Sequence, residues 1–413
     1  MKGVALVLTL GTMLTVEQRD PHRTNLDPAS TAVSADGSSV AFTTYAQLVA
    51  ADTDASCDVY VLDRASGRIT FESGGAADRG DASHPGISGD GRFVVYDRAN
   101  AIIVHDRQLS VTTPAGGGNE PVVTQNGTHV VFSAESAGTA IDPDVNGPHA
   151  DVYSFDLQTG RTRLVSIAMH GMDPAITASA HPTASRDGRY VAFASRQLSE
   201  GGRRYASRVF VRDTSLNVTR LVGEGWNPSL SGDGRLVAFV RKVNEVAQIY
   251  VTDLESGDTR IITASARRGP ANGASGQPKM SADGRFVTFQ SAASDLVASD
   301  DFNLLPDVFV FDRTTGTAIR VSGDADEAWM EPSGGPSIDA QGSVVAFSSR
   351  HPTGASDKRN DFDLYVATLL RVGGSAGGIQ SFVAGGVSLL DRRRFRMSLT
   401  GARSGRLASA NSR

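Results

Sequence analysis

Six positions directly before a proline collect side chains able to do chemistry: His84, Glu120, His181, Asn227 and Gln277, with Gly335 as the sixth. Imidazole nitrogens and carboxylate or amide oxygens can ligate a metal or hydrogen-bond a polar partner. No His-x-His spacing enforces a ligand geometry, so the plainer use of each residue is to cap the start of a strand and meet water. Trp226 and Trp329 lie just ahead of two of these segments and offer flat faces to a sugar or a partner side chain, or to packing between elements.

A second candidate chemistry is hard-cation binding. Asp142-Pro-Asp144-Val-Asn146-Gly147 sets oxygens at positions 1, 3 and 5 and glycine at position 6, as in a calcium loop, with Asp151 shortly after. The bidentate Glu of position 12 is missing, and Tyr153 stands there. Calcium at Asp142, Asp144, Asn146 and Asp151 competes with an Asx-rich turn that caps its own backbone. Asp52, Asp54 and Asp58 form a similar acidic loop earlier in the chain.

These candidates are set in a repeat. A turn element recurs as Ser34-Ala-Asp36-Gly37, Ser88-Gly-Asp90-Gly91, Thr124-Gln-Asn126-Gly127, Ser185-Arg-Asp187-Gly188, Ser231-Gly-Asp233-Gly234, Ser281-Ala-Asp283-Gly284 and Asp339-Ala-Gln341-Gly342. Asp-Gly and Asn-Gly adopt the positive φ that tight hairpins need. An apolar run such as Tyr190–Phe193 follows each turn, and after a variable loop comes a second run such as Asp307–Asp312. An Asp-x-x-x-Gly turn then opens a fourth strand, as at Thr162–Val165. Four strands per repeat predict an all-β propeller of about seven blades, six being the alternative because the second repeat lacks the turn glycine after Asp106. The last repeat shows no clear fourth strand, and Gly11–Val16 fits that pattern, so the N-terminal strand is expected to pair into the last blade and close the ring.

The unit Pro-x-hydrophobic-Ser-x-Asp-Gly-Arg-x-Val-Ala-Phe, seen at Pro182–Phe193 and Pro228–Phe239, resembles the TolB-like propeller repeat of bacterial envelope and secreted proteins. The likeness covers nearly all of residues 11–370. It implies a radial array in which the residues before each proline ring the mouth of a central channel. Proteins with this repeat serve as protein-binding modules, as propeller halves of peptidases and as oligogalacturonate lyases that hold a metal near the axis, so the fold alone does not name a function. A non-enzymatic scaffold binding a protein or glycan is the first expectation. A metal-assisted lyase using His84, Glu120 and His181 is the second, and a calcium-stabilised adhesion module the third.

Charge and termini narrow the field. The net charge of −5 hides a tail, residues 371–413, with eight Arg against one acid, which leaves about −12 on the rest. An acidic body argues against nucleic-acid binding. The single Cys57 excludes an internal disulfide. Residues 1–10 resemble a secretory signal core but are too short to span a bilayer. A periplasmic or secreted monomer is expected, with a propeller over 11–370 and a disordered Gly/Ser/Arg-rich tail over 371–413.

Overall fold

Each of the seven turn elements closes a hairpin between the first and second strands of a four-stranded sheet, its glycine at positive φ. The computed structural model describes residues 30–74, 80–135, 140, 149–167, 176–198, 205–265, 269–297, 305–323, 331–350, 362–371 and 379–386. Within them lie seven antiparallel sheets, each with its strands in sequence order from innermost to outermost. Blade 1, for example, runs Thr31–Val33, Ser39–Thr44, Asp58–Asp63 and Ile69–Phe71. The second repeat is a full blade: Ser110 takes the left-handed position, φ 55°, that glycine fills in most other repeats.

The apolar runs form the second and third strands, the most buried part of every blade. Aromatic residues meet directly across them in six blades, as in Phe193 with Phe210 and Phe289 with Phe309, both at 5.7 Å between ring centroids. The core lies between blades rather than inside any one, because each sheet buries both faces against its neighbours. Val40, Phe42, Tyr60 and Leu62 of blade 1 share one apolar cluster with Val344, Ala346, Leu364 and Val366 of blade 7. The ring is therefore closed by packing.

It is also closed by a belt of backbone hydrogen bonds. The x residue of each Ser-x-Asp-Gly turn, or the residue after it, donates its N–H to the equivalent turn of the next blade, at 2.8–3.3 Å. The series runs from Ala35 to Gly89 and ends with Ala340 donating to Ala35, so that all seven interfaces are bonded.

The expected closure by an N-terminal strand is corrected. The fourth strand of blade 7 is Ile379–Gly386, paired along Asp363–Arg371. A strand returning by a short hairpin costs far less loop entropy than one brought from the other end of the chain. The tail segment thus contributes a strand to the propeller, while residues 11–16 lie outside the described residues.

On the turn face, the Arg after the hairpin glycine grips the Asp that ends the third strand in four blades: Arg92–Asp106, Arg189–Asp213, Arg235–Asp253 and Arg285–Asp312, at 2.7–2.9 Å. The same Asp caps the turn into the fourth strand, as Asp253 does for Glu255 and Ser256. Arg235 leads the effects that hold the Asp253 carboxyl down to about 2. A depressed carboxylate stabilises the fold above its unfolded pKa and ceases to do so as pH falls through its folded one. In urea titrations at stepped pH, Arg235→Ala should therefore sit below the wild type at pH 5, with the gap closing between 3.8 and about 2; a gap independent of pH would refute the linkage.

Candidate functional site

The innermost strands of blades 2 to 7 all carry a bulge at the X-Pro step, where pairing with the second strand slips. Proline has no N–H to give the ladder, and the residue before it is barred from the right-handed helical region. Here that residue turns left-handed: His84, Glu120, His181, Asn227, Gln277 and Gly335 all have φ between 48° and 60°. Such a bulge changes the direction in which the side chain at that position leaves the strand. In blade 1, Thr31 replaces the proline, and its hydroxyl lies 2.8 Å from both Gly335 O and Ser337 Oγ of blade 7.

The five candidates thus stand at equivalent positions of successive innermost strands, and the structure shows how some of them pair. Glu120 spans to the next blade, accepting the His181 N–H at 2.8 Å and meeting His181 Nδ1 at 2.9 Å. Gln277 does the same one interface before the last, accepting the Gly335 N–H at 3.0 Å. His84 Nδ1 lies 2.8 Å from the buried Asp97 carboxylate. Asn227 Oδ1 is buried and, among the described residues, without a hydrogen-bond partner. Trp226 is half-buried beside it, opposite Val240, while Trp329 lies outside the described residues.

The electrostatics follow from these pairs. Asp97 raises the His84 pKa against the opposing effect of burial. Burial pushes the Glu120 carboxyl up, but the hydrogen bond and charge of His181, with His84 beyond, hold it below the ordinary value. One residue escaped the sequence reading: Lys279, two positions after Gln277, whose side chain is exposed while the protein around it lowers the ammonium's pKa and the charge of Glu120 opposes this. The signal was present, since it is the only charged side chain at that position of the repeat.

The metal candidates fare differently. Among the described residues, the one group of three metal-competent side chains with donor atoms within 4.8 Å of one another is Asp52, Asp54 and Asp58. Asp52 accepts the Tyr60 hydroxyl, and Asp58 is held by Arg98 and Ser73 at 2.7 Å each. His84, Glu120 and His181 are not part of that group. Asp142, Asp144 and Asn146 lie outside the described residues. Asp151 is buried, accepting the Ser166 hydroxyl at 2.5 Å in a staple that Asp58–Ser73 and Asp307–Ser322 repeat.

No family model matches the sequence, and no curated protein matches it. Solved structures do share its shape. The β-propeller domain of the Trilobed protease from Pyrococcus furiosus, described as an open velcro topology, is 13% identical with a TM-score of 0.53, over 83% of this chain and 94% of that one. This chain is a seven-bladed β-propeller. An oligogalacturonate lyase from Vibrio parahaemolyticus aligns with the propeller at 15% identity and a TM-score of 0.54, over 83% and 89% of the two chains. TolB from Acinetobacter baumannii is also among the propeller's neighbours, at 17% identity and a TM-score of 0.41; 56% of this chain aligns to about half, 53%, of that one. At such identities the likeness concerns the fold. Among the described residues, no helix of the propeller is long and apolar enough to cross a membrane.

Proposed function

We propose that this propeller is a non-enzymatic binding protein of the bacterial envelope or exterior, which takes a protein or glycan partner at the ringed mouth of its channel. The observation that carries the reading is backbone strain kept for the sake of side chains. A left-handed conformation costs a residue other than glycine on the order of 1–2 kcal/mol, least for Asn. Glycine would be the least strained residue at all six bulges, yet only blade 7 uses it. His, Glu, Asn and Gln are retained at the other five, lining one rim with donors and acceptors. Glu120 and Gln277 also tie blades together, so the clearest sign of binding is at Asn227; His181 joins it in the test because its main-chain bond to Glu120 survives any change of side chain.

Likeness to an oligogalacturonate lyase leaves an enzymatic reading on fold alone. The test is an array of immobilised peptides and glycans probed with wild type and with Asn227→Gly/His181→Gly. Glycine relieves the strain, so the variant should melt within a few degrees of the wild type while its array signal falls by about tenfold or more. Hits unaffected by the double substitution would sink the assignment of the rim.

A further inference from the structure

All of the large apolar side chains that stand exposed among the described residues belong to the outer turns and outer strands of two blades. Leu109 and Val111 lie at the entry to the fourth strand of blade 2, Val111–Gly117, and are 64% and 51% exposed. Leu216, Val218 and Leu221 lie at the same place in blade 4, whose fourth strand is Val218–Glu224, and are 64%, 43% and 38% exposed. The two turns are built alike, since Asp106-Arg-Gln-Leu109-Ser110-Val111 matches Asp213-Thr-Ser-Leu216-Asn217-Val218. Ser110 and Asn217 are left-handed, φ 55° and 57°, where blades 1, 3, 5 and 6 have Gly67, Gly160, Gly257 and Gly316. Before those glycines stand Ser66, Thr159, Ser256 and Thr315, so four blades put a hydroxyl where these two put a leucine.

Blade 3 stands between them, and its outer edge is basic. Arg161 and Arg163 are exposed, as is Arg220 of blade 4, and none of the three makes a salt bridge among the described residues. The outer strands are contiguous: Ala115 of blade 2 shares an apolar cluster with Leu164 of blade 3, and the Thr219 hydroxyl of blade 4 donates to Ile167 O of blade 3 at 3.0 Å. The acids of these turns are already taken. Arg92 holds Asp106, Arg189 holds Asp213, and Asp156 accepts the N–H groups of Gln158 and Thr159 in its own turn. Glu224, the exposed acid of the blade 4 strand, stands at its opposite end. The matching turn of blade 5 carries instead the exposed acids Glu255 and Asp258. One sector of the outer edge is thus apolar, then basic, then apolar again.

Exposed apolar groups gathered in this way mark a docking surface. The geometry points to a lipid bilayer with anionic headgroups as the occupant. Leucines at the tips of tight turns project instead of lining a groove, and a projecting apolar tip is best covered by a surface that yields around it. Arginine stems lie along apolar surface while their heads stay at the phosphates, and an anionic leaflet attracts unpaired cations. Each innermost strand passes its pre-proline residue before it reaches its hairpin turn, as Ala82–Ile87 does with His84, so these outer turns are at the far end of the blades from the ringed mouth. Docking by this edge leaves that mouth free.

The experiment is co-sedimentation of the full chain with vesicles of phosphatidylcholine alone, or of phosphatidylcholine and phosphatidylglycerol in equal parts. Wild type, Leu109→Ser/Leu216→Ser and Arg161→Gln/Arg163→Gln are compared. Wild type should pellet with the mixed vesicles, less with phosphatidylcholine alone, and more weakly as salt is raised. The leucine pair should lower partition into mixed vesicles by about tenfold or more, and the arginine pair severalfold on those vesicles only. All four residues are exposed, so both variants should melt with the wild type and a loss of binding would not be a loss of fold. Failure of the wild type to pellet with mixed vesicles, or equal partition by the leucine variant, overturns the inference. So does sedimentation velocity without vesicles that finds wild-type dimers lost in the leucine variant, since the surface would then belong to a second copy of the chain.

Discussion

Replacing Arg98 by alanine is expected to destabilise the propeller by about 3–5 kcal/mol, the cost of leaving a buried charge without its partner. Arg98 reaches from the second strand of blade 2 to the third strand of blade 1, where it donates to Asp58 at 2.7 Å and to Ser73 O at 2.9 Å. The two side chains are 6% and 4% exposed, so water cannot take over. Asp52 and Asp54 stand within the same acidic group and add to the repulsion once the guanidinium is gone. Burial already raises the Asp58 pKa, with the two neighbouring acids in support and Ser73 and Arg98 opposing. An acid whose folded pKa is raised binds more protons folded than unfolded, so stability rises as pH falls through the window above 3.8. The penalty of Arg98→Ala should therefore be larger at pH 7 than at pH 4.5 in urea titrations. Arg98→Met with Asp58→Asn should recover much of it, since replacing both partners removes the uncompensated charge. A loss under about 1 kcal/mol, or one that does not vary with pH, would show that the pair is not what joins these blades.

Gly342→Ala should cost about 3 kcal/mol, against about 1 for Gly67→Ala. Both glycines sit at nearly the same positive φ, 67° and 72°, and so carry the same backbone penalty. Their surroundings differ. A Cβ at Gly67 meets nothing within 4 Å, whereas one at Gly342 would fall 2.2 Å from Cδ2 of Phe286, a ring with no exposure at all. That ring belongs to the preceding blade, and the contact recurs around the propeller: Gly234 on Tyr190, Gly284 on Leu236, and Gly37 on Val344 to join blade 1 to blade 7. The hairpin glycine thus serves blade stacking as well as the turn. Chemical denaturation of the two alanine variants separates these effects, and equal losses would reduce the glycine to its turn role.

The same residues show what could be read in advance. Asp-Gly turns announce hairpins because the requirement is local, a positive φ that few residues adopt cheaply. The stacking role of Gly342 could not be read, because Phe286 is 56 residues away and meets it only when neighbouring blades pack. The rim was half legible: the prolines marked where His84, Glu120, His181, Asn227 and Gln277 stand, but not that each is left-handed or that Glu120 bonds His181 across an interface. The staple from Ser166 to Asp151, which recurs at Asp58 and Asp307, could not be read either, because the serine lies 15 residues on and meets the aspartate only across paired strands.

By itself the sequence determined the repeat and the strands of every blade but the fourth strand of the last, since turn chemistry and strand alternation act over a few residues. Only the tertiary structure decided how the ring closes, with blade 7 completed by Ile379–Gly386 and sealed to blade 1 by the Ala340–Ala35 hydrogen bond and shared core. Strand pairing is a competition between segments for one edge, and packing and loop entropy settle it over the whole chain.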